Sequence, residues 1–429
     1  MASLASPCIK SRHPSLALPP PRPLVVLLPS ALIALPIMLR ALLRPGLEVY
    51  DQRDETLFHL PTIQGFARAL PLPDLSDYPS ATGPLYHLLL APLAAASGED
   101  LLLLRLATLG LSLGLLAFAA LLLAGRAQAP TPALGLALLP LALSPYVIGP
   151  AVRLSTDNVA LLGVVACLWA LDRAPPPPSW RALLLAALFA AAATLTRQVH
   201  GWLVGLLVLA ALPRSALPSS TGPRLARLLP AAIPVLALAP LVLLWGGLTP
   251  PSFAEHQGGL DPHIGLTELA VLGGLALPWA PWLWAERSAP LALGSLALGA
   301  ALLLLSPIPW VEDPLRYGGS LWRLASFTPE LLGSTGLFWL LVPAGLLAMA
   351  SLLRRAWRTG DALPGAALLL FFVANLASAR GYQKYYEPFF LLVLAWACTR
   401  GPQPGRWAWI GPALLALAWL AVALVRFAL

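Results

Sequence analysis

Long apolar runs alternate with short polar joints along the whole chain, and their lengths predict helices at 24–43, 101–124, 132–149, 158–171, 181–196, 200–212, 228–248, 265–285, 289–306, 335–353, 363–379, 388–399 and 408–428. Many of these approach the roughly 20 residues that cross a bilayer as a helix, so the pattern predicts an all-α polytopic membrane protein of about 13 transmembrane helices. The two-residue alternation of a membrane barrel is missing. The stretch 84–97 is too short to span, rising about 21 Å as a helix against a core of roughly 30 Å. It is expected as a juxtamembrane or re-entrant helix in the first outer loop.

Composition agrees with this pattern: 58% of residues are hydrophobic and 11% charged, with a mean hydropathy of +0.77. A soluble fold cannot hide that much apolar surface. Residues 1–23 are polar, proline-rich and basic, a cytoplasmic tail before a first run that reads as an uncleaved anchor. Residues 24–429 then form one transmembrane domain. Its outer-face loops are expected at 44–100, 150–157, 249–264, 307–334 and 380–387.

The net charge of +8 comes from scattered arginines, which excludes a nucleic-acid patch and instead follows helix ends, as the positive-inside rule requires. Arg126, Arg173, Arg354, Arg355, Arg358 and Arg400 fall on the inner side. Of the 19 acids, Asp172, Glu286 and Asp361 join them, and the others are assigned to the outer side. One surface is therefore expected to carry the chemistry. The three cysteines are isolated in sequence, without a disulfide framework or zinc spacing.

The densest group of acids follows the first run: Asp51, Asp54 and Glu55, with His59 close behind. A carboxylate at an apolar wall suits a general base. Arg153 and Asp157 stand four apart at the mouth of the next loop, where they can pair with each other or serve a site. In Thr196-Arg197-Gln198-Val199-His200 an arginine lies between two apolar runs, and its planar fork matches phosphate oxygens. His256 and His263 lie near Asp261 but lack strict metal-ligand spacing, so sugar or phosphate hydrogen bonding is preferred to a metal. Asp313 with Arg316-Tyr317, and Arg380 with Lys384, complete the set; Lys10 is the only other lysine.

These islands are similar in type and order to the GT-C class of polyprenyl-phosphate-sugar membrane glycosyltransferases, and most resemble its dolichyl-phosphoglucose-dependent α-1,2-glucosyltransferases. The likeness rests on Asp54-Glu-Thr-Leu-Phe-His59, Thr82-Gly-Pro-Leu-Tyr86, Thr156-Asp157, Arg197-Gln198, Gly246-Gly247 before His256 and His263, Asp313 to Arg316-Tyr317 with Trp322-Arg323, and Lys384-Tyr-Tyr386. Here the Asp-Glu pair stands one residue farther from Phe-His than in the family, so either Asp54 or Glu55 can take the acidic position. The resemblance implies inverting transfer of a hexose, glucose in the nearest family, to a glycan, lipid or protein hydroxyl. It implies no cofactor, metal or nucleic acid, and a site on the outer face, here of a bacterial plasma membrane. The competing class, a lipid or sugar transporter, requires ionisable residues deep in the membrane on broken helices.

Overall fold

The computed structural model describes residues 22–44, 50–175, 177–212, 226–256, 258–284, 286, 288–314, 316–401 and 403–429. The basic tail expected at 1–23 lies almost wholly outside these residues. Within them the chain is a bundle of helices with two 2-stranded pairings of two residues per strand. Proline opens many of the helices, among them Pro23–Leu43, Thr131–Leu143, Pro262–Ala276 and Leu363–Asn375. Its fixed φ and missing N–H cost nothing at a first turn, which explains how a chain with 46 prolines stays helical.

Among the described residues five helices are long and apolar enough to cross a membrane, Pro23–Leu43, Leu101–Gly125, Pro262–Leu283, Gly336–Thr359 and Arg406–Ala428, or six with one bent pair counted as a span. The protein is an all-α integral membrane protein. Shorter apolar helices occupy the other expected runs, and 84–97 forms the 13-residue helix Leu85–Ser97. The run 132–149 is not one rod. It breaks by 62° between Thr131–Leu143 and Pro145–Val152, because Pro145 cannot continue the first helix. Ser144 at the break accepts from the Tyr146 amide at 3.1 Å and donates to Glu387 Oε1 at 2.6 Å.

Ion pairs mark the two ends of the bundle. Arg126 and Arg400 close on Asp172, Arg400 reaches Asp361, and Arg358 pairs with Glu286 at 2.9 Å. Each of these residues stands at or just beyond a helix C-terminus, or in the joint that follows. The helices Leu101–Gly125, Asp157–Arg173 and Gln383–Thr399 lead from this cluster to a second one containing Arg105, Asp157 and Lys384. At 17 residues the last two are about 25 Å long. Gln383–Thr399 is the central helix, with fifteen of its residues buried. The span at Arg406–Ala428 is only 22% buried and presents its apolar surface outward.

Not every acid assigned to the outer side is exposed there. Glu55, Glu268 and Glu387 are fully buried, Glu268 within Pro262–Ala276. A sequence count places acids by loop, whereas these three lie in helices that turn them inward.

Pro262–Ala276 and Gly336–Thr359 meet backbone to backbone. A Cβ at Gly273 would overlap the Leu341 carbonyl and one at Gly345 the Leu269 carbonyl, so each glycine admits the other helix. Without a hydrophobic driving force between helices in lipid, such close van der Waals contact is a main source of cohesion. Gly345→Ala should cost about 1–3 kcal/mol. Gly110→Ala, where nothing lies within 4 Å, should be neutral or stabilising by up to about 1 kcal/mol. Thermal midpoints in detergent, read by tryptophan fluorescence, check this; equal midpoints for the two variants would refute the tight crossing.

Candidate active site

At the Lys384 end, segments far apart in sequence enclose a cavity of about 200 Å³ lined by Asp54, His59, Asp157, Arg197, Gln198, Arg380 and Lys384, with Thr82, Phe253 and Tyr385 among its other walls. The first loop reaches it as a series of short helices, Tyr50–Asp54, Glu55–His59 and Leu60–Arg68. Their return path is fixed at Gly83, whose amide donates to the Thr196 carbonyl at 3.1 Å. A side chain at Gly83 would strike the Leu195 carbonyl. This contact sets Ser80, Ala81 and Thr82 in the wall, where Gln198 donates to the Ala81 carbonyl at 3.4 Å. Phe58 meets Phe253 edge-on at 5.8 Å, tying the first loop to the 249–264 loop.

The charges in this wall occur as matched pairs. Lys384 Nζ donates to Asp54 Oδ2 at 2.8 Å, with Asp54 30% exposed. Arg197 pairs with Asp157 and lies over the Tyr385 ring at 4.6 Å. Arginine beside lipid is costly unless matched, which explains why the sequence carries both Asp157 and an aromatic face within its reach. The arginine that Asp157 meets is thus Arg197, from the joint that follows the next helix. Arg153 is buried, does not line the cavity and donates to the Val152 carbonyl at 3.1 Å. Arg380 adds a third cation to the cavity wall, next to Ser378, whose hydroxyl accepts from the Arg380 amide at 3.2 Å.

His59 is buried and within 3.0 Å of His87 through Nδ1. Burial, with Lys384 and Arg197 nearby, pushes its pKa down to about 3, so it is a neutral hydrogen-bonding group across the ordinary pH range. Glu55 does not line the cavity. Its carboxylate is fully buried, takes both arms of the Arg105 fork, and accepts from the Leu154 amide at 2.7 Å. The two neighbouring acids thus differ in situation: Asp54 faces the cavity and Glu55 anchors the loop to Leu101–Gly125.

The other expected residues gather beside this cavity. Asp261 pairs with Arg316 and accepts from the His263 amide at 2.9 Å. Asp313 accepts from the Arg316 amide at 3.2 Å and lines a separate, adjoining cavity. The side chain of His256 lies outside the described residues. Residues 317–318 pair in parallel with 381–382. The Arg316 carbonyl also accepts from the Gly381 amide at 2.7 Å, so the 307–334 loop and the Lys384 segment form one unit.

Sequence reading missed Arg105, Phe58, Phe253 and Tyr146. Arg105 had a signal, since a lone arginine inside the apolar run 101–124 requires an anion. The aromatic contacts had none, because they join segments about 200 residues apart.

The fold and site thus describe an all-α integral membrane protein with a charged cavity at one end of its bundle. No protein-family model and no curated protein matches the chain. Among solved structures, the crystal structure of ArnT from Cupriavidus metallidurans in the apo state is similar at 17% identity, covering 86% of this chain and 76% of that one, with a TM-score of 0.38. At that score the likeness carries no argument about chemistry.

Removing one partner of a buried ion pair costs about 3–5 kcal/mol, because the other charge stays behind. Glu55→Gln and Arg105→Gln should therefore lower the thermal midpoint and the monodisperse yield sharply, while Asp54→Asn, at a partly exposed position, should fold like the wild type. If Glu55→Gln proved as stable as Asp54→Asn, Glu55 would not be the loop's anchor.

Proposed function

We propose that the chain is an inverting GT-C glycosyltransferase that moves a hexose from a polyprenyl-phosphate donor to an acceptor hydroxyl, with its site on the outer face of the membrane. One observation carries this reading: Asp54 shares a single cavity with Arg197, Arg380 and Lys384, brought there from three separate parts of the chain. Glucose as the hexose, the glycan, lipid or protein acceptor, and the completion of about 13 crossings by the shorter helices belong to the same proposal.

Transfer needs a base on one side of the anomeric carbon and positive charge on the other. Asp54 takes the acceptor's hydroxyl proton as that oxygen bonds to the anomeric carbon. The bond from this carbon to the phosphate oxygen breaks with its electron pair, and the lipid phosphate leaves as a monoester. That monoester carries more charge than the diester it came from. Cations aimed at it therefore stabilise the transition state more than the ground state. Arg197, held between Asp157 and Tyr385, supplies a preorganised fork. Lys384, a compact charge on a flexible stem, can serve either Asp54 or the phosphate.

The ion pairs support one orientation for both ends. Residues assigned to the inner side pair among themselves, and Asp54, Asp157, Lys384 and Arg197 pair among themselves. In a background lacking Cys8, Ser76→Cys and Ser326→Cys should react with an impermeant thiol reagent from outside and Thr359→Cys should not. Labelling of Ser76→Cys and Thr359→Cys from the same side would overturn the topology.

The transporter reading also has an observation in its favour. Glu268, deep in a span, has no hydrogen-bond partner for either carboxylate oxygen among the described residues, and the Thr131–Leu143 and Pro145–Val152 pair is a broken helix. Purified protein incubated with a panel of polyprenyl-phosphate sugars and acceptors separates the two, because only transfer releases polyprenyl phosphate. Asp54→Asn should lower turnover about 10²–10⁴-fold with donor binding retained. Arg197→Lys, which loses the fork, should lose at least about tenfold. Release at wild-type rates in Asp54→Asn would remove it as the base.

A further inference from the structure

A second cavity, of about 340 Å³, is larger than the one that holds Asp54. It lies next door, under the 307–334 loop, and Lys384 lines both. Its volume falls within the roughly 300–1,000 Å³ of small-molecule sites.

One part of its wall is a fixed aromatic stack. Tyr317 lies parallel to Trp322 at 4.3 Å and 13°, and the Trp322 indole donates to the Val311 carbonyl at 3.1 Å. Tyr382 donates to the Pro314 carbonyl at 2.7 Å, and Tyr146 accepts from the Ser320 amide at 3.0 Å. With the polar ends of Trp322, Tyr382 and Tyr146 engaged, these rings present apolar surface. Trp310, 39% exposed, adds an indole that the protein covers only in part, and Glu312 on the same wall is exposed.

This lining selects among ligands. An acyl chain would leave Glu312 and Asp313 facing hydrocarbon, which is costly. A phosphate would be drawn to Arg323, Lys384 and Arg426, which also line the cavity, but would meet Glu312 and Asp313 as like charges. A pyranose fits both parts of the wall, since its C–H face packs on an aromatic ring and its hydroxyls donate to carboxylates, bonds stronger than neutral ones. We propose that this cavity is a carbohydrate-binding subsite in which Trp310 supplies the stacking face and Glu312 and Asp313 accept from ring hydroxyls. The role of the bound sugar rests on the transferase reading, for Lys384 in the shared wall would put it next to Asp54. The sugar is either that of the donor or one belonging to the acceptor.

The test is saturation-transfer NMR on the full chain in lipid nanodiscs, with methyl α-glucopyranoside, methyl α-mannopyranoside and methyl α-galactopyranoside as probes. At least one should receive saturation from the protein. Trp310→Ala and Glu312→Gln should each weaken its binding by about tenfold, as expected for loss of an anchor group, while Asp54→Asn leaves it in place. Decaprenyl-phosphate sugar that displaces the glycoside marks the donor's sugar, and simultaneous binding marks the acceptor's. Absence of transfer for all three probes, or transfer abolished by Asp54→Asn and untouched by the other two variants, overturns the subsite. If glycoside binding depends on Trp310 but no polyprenyl phosphate is ever released, the transferase reading falls and the sugar site stands.

Discussion

A charge next to lipid must be matched, and the organisation of this bundle follows from that constraint. Three helices run between two clusters of opposite charges, and the apolar length between them is what a membrane can accept. At one end the matching is dense and structural, with Arg400 serving both Asp172 and Asp361. At the other it is looser and surrounds a cavity. The difference matters because a pair that is partly hydrated can exchange partners at modest cost, whereas a buried one cannot. Asp54 with Lys384 is of the first kind and Glu55 with Arg105 of the second.

The apolar pattern made the fold class legible. The breaks were less legible. The run 132–149 reads as one span, and only the hydrogen bonds of Ser144, one of them to Glu387 more than 240 residues later, give the 62° bend a partner. Asp54, Asp157, Arg197 and Lys384 stood out because polar residues are rare in this chain. Their pairing did not, since spacing along the sequence left Asp157 either to pair with Arg153 or to serve a site, and the fold sets it against Arg197. Glu55 and Asp54 are indistinguishable in sequence because a helix separates their directions only once it has formed. Of the second cavity only Asp313 with Arg316-Tyr317 stood out in sequence, and its closure by Tyr146 and Tyr382 required the fold.

The short parallel bridge between residues 317–318 and 381–382 is small in hydrogen bonds and large in effect. It joins the loop that roofs one cavity to the segment that carries Lys384 into the other. The two compartments are then not independent containers. Ordering of the roof by whatever fills the larger one restricts the freedom of the lysine in the smaller, so the entropy lost in the first binding event need not be lost again in the second. If ligands order the roof and the lysine in this way, the two occupancies become cooperative without any displacement of the helices, and because linkage is reciprocal, filling the smaller compartment would tighten the larger by the same factor.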